Sequence, residues 1–255
     1  MEYDILFYLC LASFCAGFVD AIIGGGGLIQ IPLALLLMPN MQVSTIIGTL
    51  KIPSFTGTAF AAYQYQKKVA LNWKLLLPMA FAAFVMAILG SLLLVTVNND
   101  FMKPILICVL FLIAIYTFFK KDLGAENHQI VSPEKTIIYA ALISLGIGFY
   151  DGFIGPGTGS FLIISLITAL HQDFLTASAN AKIINLATNL GSILLFIAKG
   201  KIVWIIALPM AACNALGGWL GAKTAIKKGN SFIRILFLIV VSCTLLRLGY
   251  DVFLK

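Results

Sequence analysis

The sequence predicts an all-α, polytopic integral membrane protein built from two inverted-topology repeats, each of about five membrane segments with broken or short half-helices. Three observations predict it: a composition poor in charge, a series of apolar runs, and a gapless internal duplication. Hydrophobic residues make up 61% of the 255 and charged residues 11%, with a mean hydropathy of +1.03. A soluble domain carries roughly 25% charge, so this chain cannot cover itself with polar groups in water. Its solvent is lipid.

Spanning a hydrocarbon core of about 30 Å takes about 20 apolar residues as helix. The first half offers runs at 4–23, 27–38, 42–65, 72–97 and 102–119. The second offers 134–154, 158–170, 174–198, 203–226 and 231–253. In each half the second run is too short to stand upright, so it reads as a half-helix, a re-entrant piece or a shortened span. The first run has no basic residue before it in Met1-Glu2-Tyr3-Asp4, unlike a secretory signal, and is expected to be retained.

The duplication has one offset, that of Asp20 from Asp151 (151 − 20 = 131). The same offset pairs Gly17 with Gly148, Gly24 with Gly155, Gly26 with Gly157, Lys51 with Lys182, Trp73 with Trp204, Pro78 with Pro209 and Asn99 with Asn230. Matched Leu and Ala mean little in so apolar a chain, but matched Asp, Lys, Trp and Pro do not arise by composition. The expected division is a first transmembrane repeat over 1–121, a polar cytoplasmic linker over 122–132, and a second repeat over 133–255.

Charge decides the relative orientation of the repeats. The Asn98-Asn99-Asp100 loop has no basic residue until Lys103, whereas its mate carries Lys223, Lys227, Lys228 and Arg234. Corresponding loops of opposite character belong on opposite sides of the membrane, which inverts the second half. Lys199 and Lys201 fall on the outer side in this scheme and oppose it.

The net charge of +7 serves membrane orientation and implies no nucleic-acid partner. Cys10, Cys15, Cys108, Cys213 and Cys243 lie in apolar runs without ligand spacing, and His128 and His171 stand far apart. These residues read as buried thiols and isolated histidines, so no metal site is expected. The chain has no nucleotide-binding loop and implies no cofactor. Trp73 and Trp204 read as interfacial anchors.

Chemistry is expected at the two glycine breaks. Gly24-Gly25-Gly26-Gly27 follows Asp20, and Gly155-Pro156-Gly157-Thr158-Gly159 follows Asp151. Each glycine costs a helix about 1 kcal/mol, and clusters at matched points before a short run mark a broken helix. The half-helix beyond a break offers free N–H groups to an anion. Tight helix packing is the alternative use of such glycines.

The intramembrane aspartates Asp20 and Asp151 have three candidate roles. They could hold the glycine loop through its amides, pair with the lysine of their own half, or carry a coupling proton. Lys51 and Lys182 would supply positive charge to a substrate or form those salt bridges. Asn185, Thr188 and Asn189 follow Lys182 on one helical face, and Ser54, Thr58 and Gln64 follow Lys51. Thr158 and Ser160 stand where the second half-helix begins, so the second break is expected to touch substrate more specifically.

The string Gly17-Phe18-Val19-Asp20-Ala21-Ile22-Ile23-Gly24-Gly25-Gly26-Gly27, with Lys51 in the third run, resembles the amino-terminal signature of the TauE/SafE sulfite exporter family. The second copy, from Gly148 to Gly159, resembles it too, and the likeness covers essentially the whole chain. It implies a permease that moves sulfite, organosulfonates or related sulfur anions across the cytoplasmic (inner) membrane. Such a secondary carrier would work by alternating access and is not an enzyme. Its expected partners are a small anion and the lipid bilayer, with a homodimer left open. The alternatives are an intramembrane aspartyl hydrolase and a metal-cation carrier. The first lacks the Gly-x-Gly-Asp context, and the second lacks carboxylates and meets two buried lysines.

Overall fold

The structure is a computed structural model that describes residues 3–97 and 132–253, with side chains described for 4–97 and 132–228. The described residues form helices. In the first half these are α1 (Tyr3–Ile23), α2 (Gly27–Leu37), α3 (Val43–Gln66) and α4 (Trp73–Thr96). In the second they are α5 (Pro133–Phe153), α6 (Thr158–Leu170), α7 (Phe174–Ala198) and α8 (Trp204–Phe253). The expected run at 102–119 and the linker before Ser132 lie outside the described residues.

Among the described residues, five helices are long and apolar enough to cross a bilayer: Asp4–Ile23, Trp73–Thr96, Pro133–Phe153, Phe174–Ala198 and Trp204–Lys228. This is a multi-pass membrane protein. Helix α3 is equally long but falls outside that set, because its buried side carries Thr49, Lys51 and Thr58. Trp73 and Trp204 open α4 and α8 and are exposed, as anchors should be. Pro78 and Pro209 each lie one turn or so inside these helices without ending them.

One expectation needs correction. Runs 203–226 and 231–253 form a single helix, α8, of 50 residues, about 75 Å long. The residues between the runs include Gly229 and Asn230 but no proline. Two poor helix formers cost about 1 kcal/mol each at most, too little to force a break.

The halves exchange partners. Helix α1 packs chiefly on α8, and its mate α5 packs chiefly on α4, while α3 packs on α8 and its mate α7 on α4. Small residues permit the close approach. A Cβ on Gly221 or Gly217 would strike the backbone of α1, and one on Gly90 or Gly152 would strike the α4–α5 contact in the same way.

The two breaks cross each other at the centre. Gly24 and Gly155 have φ of +78° and +88°, a left-handed backbone open to glycine. Gly24 lies directly on Gly159, so a Cβ on either would collide with the other's main chain. Ser160 N–H donates to the Gly24 carbonyl at 3.1 Å and its hydroxyl donates to the Ile23 carbonyl at 2.9 Å. The end of α1 is thereby capped by the start of α6.

Gly24→Ala or Gly159→Ala is expected to lower the thermal midpoint of detergent-solubilised protein by roughly 5 °C or more, as overpacking a closed contact does. Gly146→Ala is the control. Gly146 sits on the exposed side of α5 with open space around its would-be Cβ, and the change should leave the midpoint level or raise it.

Candidate functional site

A cavity of about 40 Å³ opens where the breaks cross. By the rule that a water needs about 10–15 Å³, it holds about three waters or one compact oxyanion. From the first half it is lined by Asp20, Gly24, Gly27, Gln30, Lys51, Ser54 and Thr58, and from the second by Asp151, Gly155, Gly157, Thr158, Gly159, Asn185 and Asn189. Ile31, Ile47, Leu50 and Ile154 close it with apolar surface.

Among the described residues two ion pairs form, one buried and one with Asp20 partly exposed, and both cross between the halves. Lys51 Nζ lies 2.8 Å from Asp151 Oδ2 and also donates to the Asp151 carbonyl at 2.8 Å. Lys182 Nζ lies 2.7 Å from Asp20 Oδ2 and also donates to the Asp20 carbonyl. Pairing with the lysine of the same half, one of the three roles considered for the aspartates, is thus not the pairing that forms. The crossing of the breaks explains the exchange: α1 reaches α7 and α6 behind Gly24, so Asp20 meets the second half's lysine.

Asp20 also accepts from the Gly26 N–H at 3.3 Å, the loop-holding arrangement foreseen for the aspartates. Each lysine donates to a carboxylate and to the carbonyl of the last helical turn. That is the favourable end of the helix dipole for a cation.

The walls divide the expected residues. Gly24, Gly27, Lys51, Gly155, Gly157, Thr158, Gly159, Asn185 and Asn189 all reach the cavity, with Asp20 and Asp151. Gly25, Gly26, Ser160 and Lys182 are absent from its lining. Ser160 is spent on capping α1, and Lys182 is fully buried behind Asp20. Thr158 reaches the cavity while donating to the Gly155 carbonyl at 2.7 Å, so only its lone pairs remain for a visitor.

On α7 the polar residues form one stripe, Ser178, Lys182, Asn185, Asn189 and Ser192, at alternating spacings of four and three. All are buried. Asn189 Nδ2 donates to Asn185 Oδ1 at 3.2 Å, which orients the amide pair.

Gln30 was hidden in the sequence. It lies in an apolar run, three residues past the first break, where a single amide looks incidental. In the structure it is buried and Nε2 donates to Ser13 Oγ at 2.7 Å. Ser13 Oγ donates to the Met210 carbonyl at 2.8 Å, and Asn214 Nδ2 donates to the Ser13 carbonyl at 2.9 Å. The mates of Gln30 and Asn214 are Phe161 and Ala83, so this network exists on one side only.

If the pairs cross the halves, removing one charge strands its partner. Lys51→Met is expected to cost about 3–5 kcal/mol, read as lost thermal stability in detergent. Adding Asp151→Leu should recover most of it, whereas adding Asp20→Asn should not. Recovery with Asp20→Asn would contradict the pairing.

The sequence profile described as Sulfite exporter TauE/SafE matches residues 9–248. Among curated proteins, the chain is 36% identical over 253 residues to a probable membrane transporter protein, ORF9, of a Sinorhizobium species, covering 98% of this chain and 95% of the relative. It is 35% identical over 248 residues to a probable membrane transporter protein of Haemophilus influenzae, covering 97% and 96%. It is 34% identical over 251 residues to the probable membrane transporter protein YfcA of Escherichia coli K12, covering 97% and 89%. No solved structure matches the chain.

Proposed function

The chain belongs to the TauE/SafE sulfite exporter family, and on that premise we propose that it is a secondary carrier of a small sulfur oxyanion or organosulfonate across the cytoplasmic membrane. Family and relatives support a membrane transporter. The observation that carries the finer reading is the cavity at the crossed breaks, where an ammonium, helix-start backbone and side-chain amides meet.

Lys51 is the cavity's own cation. An anion entering there competes with Asp151 for the ammonium and exchanges one partner for another. Asn185, Asn189 and Gln30 offer N–H groups to the remaining oxygens, and the half-helix starts at Gly27 and Thr158 add the positive ends of their dipoles. The cavity's size favours sulfite over a bulky sulfonate.

Two inverted halves meeting at one site supply the transport cycle. Rocking one half against the other exposes the cavity to each side in turn. Hydrolysis by two aspartates is disfavoured, because such a dyad shares a proton between adjacent carboxylates and each carboxylate here holds its own lysine. The same pairing leaves neither cavity carboxylate free for a metal cation.

Purified protein in proteoliposomes is expected to accumulate radiolabelled sulfite or a small organosulfonate against control liposomes, and to exclude chloride and acetate. Lys51→Gln should reduce that flux by about tenfold or more, the worth of one charge-assisted contact of about 1.5–3 kcal/mol. Correctly folded protein that moves none of the sulfur anions would refute the proposal.

A further inference from the structure

The cavity is not centred on the duplication. Near its middle it is lined by mates from both halves: Asp20 with Asp151, Gly24 with Gly155, Ser54 with Asn185 and Thr58 with Asn189. On α3 the lining continues through Lys51, Leu50 and Ile47. On α7 it stops. Lys182, Ala181 and Ser178, the mates of those three, are absent from it and fully buried.

Helices α3 and α7 run antiparallel, so the cavity is displaced toward one end of the molecule. Val203 N–H, just past the end of α7, donates to Thr49 near the start of α3 at 3.0 Å. Lys201 Nζ in the same loop donates to Gln42 Oε1 at 2.6 Å. The cavity leans toward the start of α3 and away from the start of α7. Its apolar wall at that end is divided, with Ile31 and Leu50 in one cluster and Ile47 and Ile154 in another. At the opposite end the mates Leu162, Ala181 and Ile23 all sit in a single larger cluster.

Two polar groups at that end are not explained by a need for hydrocarbon packing. The Ser178 hydroxyl stands by that of Tyr65 but completes no hydrogen bond. Thr49, Ser144 and Thr168 each bond back to the carbonyl one turn earlier, the usual refuge of a helical hydroxyl. Lys182 lies one turn beyond Ser178 and stands behind Asp20. The Asp20 carboxylate holds its ammonium at 2.7 Å and itself lines the cavity. Asp20 also has a second donor, the Gly26 N–H at 3.3 Å, which keeps it bonded when the ammonium turns away.

We propose, resting on the carrier reading of this site, that Lys182 and Ser178 are the oxyanion contacts of a second, opposite-facing state. In that state the start of α7 takes the place that the start of α3 holds here. The matched residues make the exchange possible: each half carries the same Asp, glycine break and Lys, so the arrangement of one half is open to the other. Ser54, Thr58, Asn185 and Asn189 keep the anion while its cation changes from Lys51 to Lys182. The anion then competes with Asp20 for Lys182, as it competes with Asp151 for Lys51 here.

Two differences between the copies trade places in the same exchange. Gln30, which lines the cavity, has Phe161 as its mate, and Ser178 has Ile47. Each state therefore adds one neutral donor of its own beside its ammonium, an amide with Lys51 and a hydroxyl with Lys182. The Ser178 hydroxyl is unbonded here because its partner, an oxyanion oxygen, belongs to the other state.

Ser178→Cys, a nearly isosteric change, and its mate Ile47→Cys place one thiol at each end. Right-side-out and inverted membrane vesicles are treated with a membrane-impermeant anionic methanethiosulfonate, and modification is read peptide by peptide, apart from the native cysteines. Ile47→Cys should react from one face and Ser178→Cys from the opposite face. Ser178→Cys that reacts from neither face, or from the same face as Ile47→Cys, would overturn the second state. In the same two vesicle types, Ser178→Ala should raise the half-saturating sulfite concentration about threefold to tenfold, the worth of one hydrogen bond. That rise should appear only on the face that labels Ser178→Cys, with the thermal midpoint level or higher. An equal rise on both faces, or on neither, would overturn the contact. Wild-type protein that moves no anion would instead sink the carrier reading, and the labelling would still decide whether the start of α7 opens.

Discussion

The fold turns on keeping four charges alive inside an apolar assembly. An isolated ammonium or carboxylate removed from water costs several kcal/mol even after relaxation. In this chain no half can neutralise its own pair, because Lys51 finds its carboxylate on Asp151 and Lys182 finds its carboxylate on Asp20. Each half is electrostatically complete only when docked on the other. The crossed glycine breaks fit that need, with the main chains of Gly24 and Gly159 in direct contact where the end of α1 meets the start of α6.

The same arrangement would suit the rocking of halves in the proposed transport cycle. The strongest interactions between the halves are not apolar contacts, which are similar in many registers, but two charge pairs with defined geometry. A pair can be opened if something replaces the lost partner. An anion can replace a carboxylate at a lysine, and a proton can replace a lysine at a carboxylate. In the proposed cycle the anion is the agent that releases one half from the other. Neither pair is a static brace in this view, since Asp20, Lys51 and Asp151 all line the cavity.

Much of this was legible because rare residues carry information in an apolar background. The short helices fall almost on their expected limits, Gly27–Leu37 against 27–38 and Thr158–Leu170 against 158–170. Glycine clusters are expensive inside helices, and their positions leave little freedom. The pairing of the charges was not legible, and symmetry is the reason. A duplication that places Lys51 near Asp20 also places Lys182 near Asp151, and one that crosses the pairs crosses both. The offset is the same in either case. Continuity of α8 escaped notice because two weak helix breakers look like a boundary in sequence and cost too little to make one. Gln30 escaped because hydropathy averages one amide away, whereas the structure sets it against Ser13 and the cavity.

What the duplication could not announce is where the copies have stopped being copies. Phe196 for Tyr65, Ile47 for Ser178 and Met41 for Gln172 are ordinary apolar substitutions when read one at a time. Phe161 for Gln30 and Ala83 for Asn214 look equally bland. Placed in space, they fall into two groups around one centre. The first sets Phe196 and Ile47 in one apolar cluster, and the second confines the Gln30–Ser13–Asn214 network to the α1–α8 side. A carrier with two equivalent halves would bind its substrate equally well from either side and would have two equivalent acids. In the proposed carrier, divergence at these five pairs would remove that degeneracy, while the ion pairs and glycine breaks remain matched.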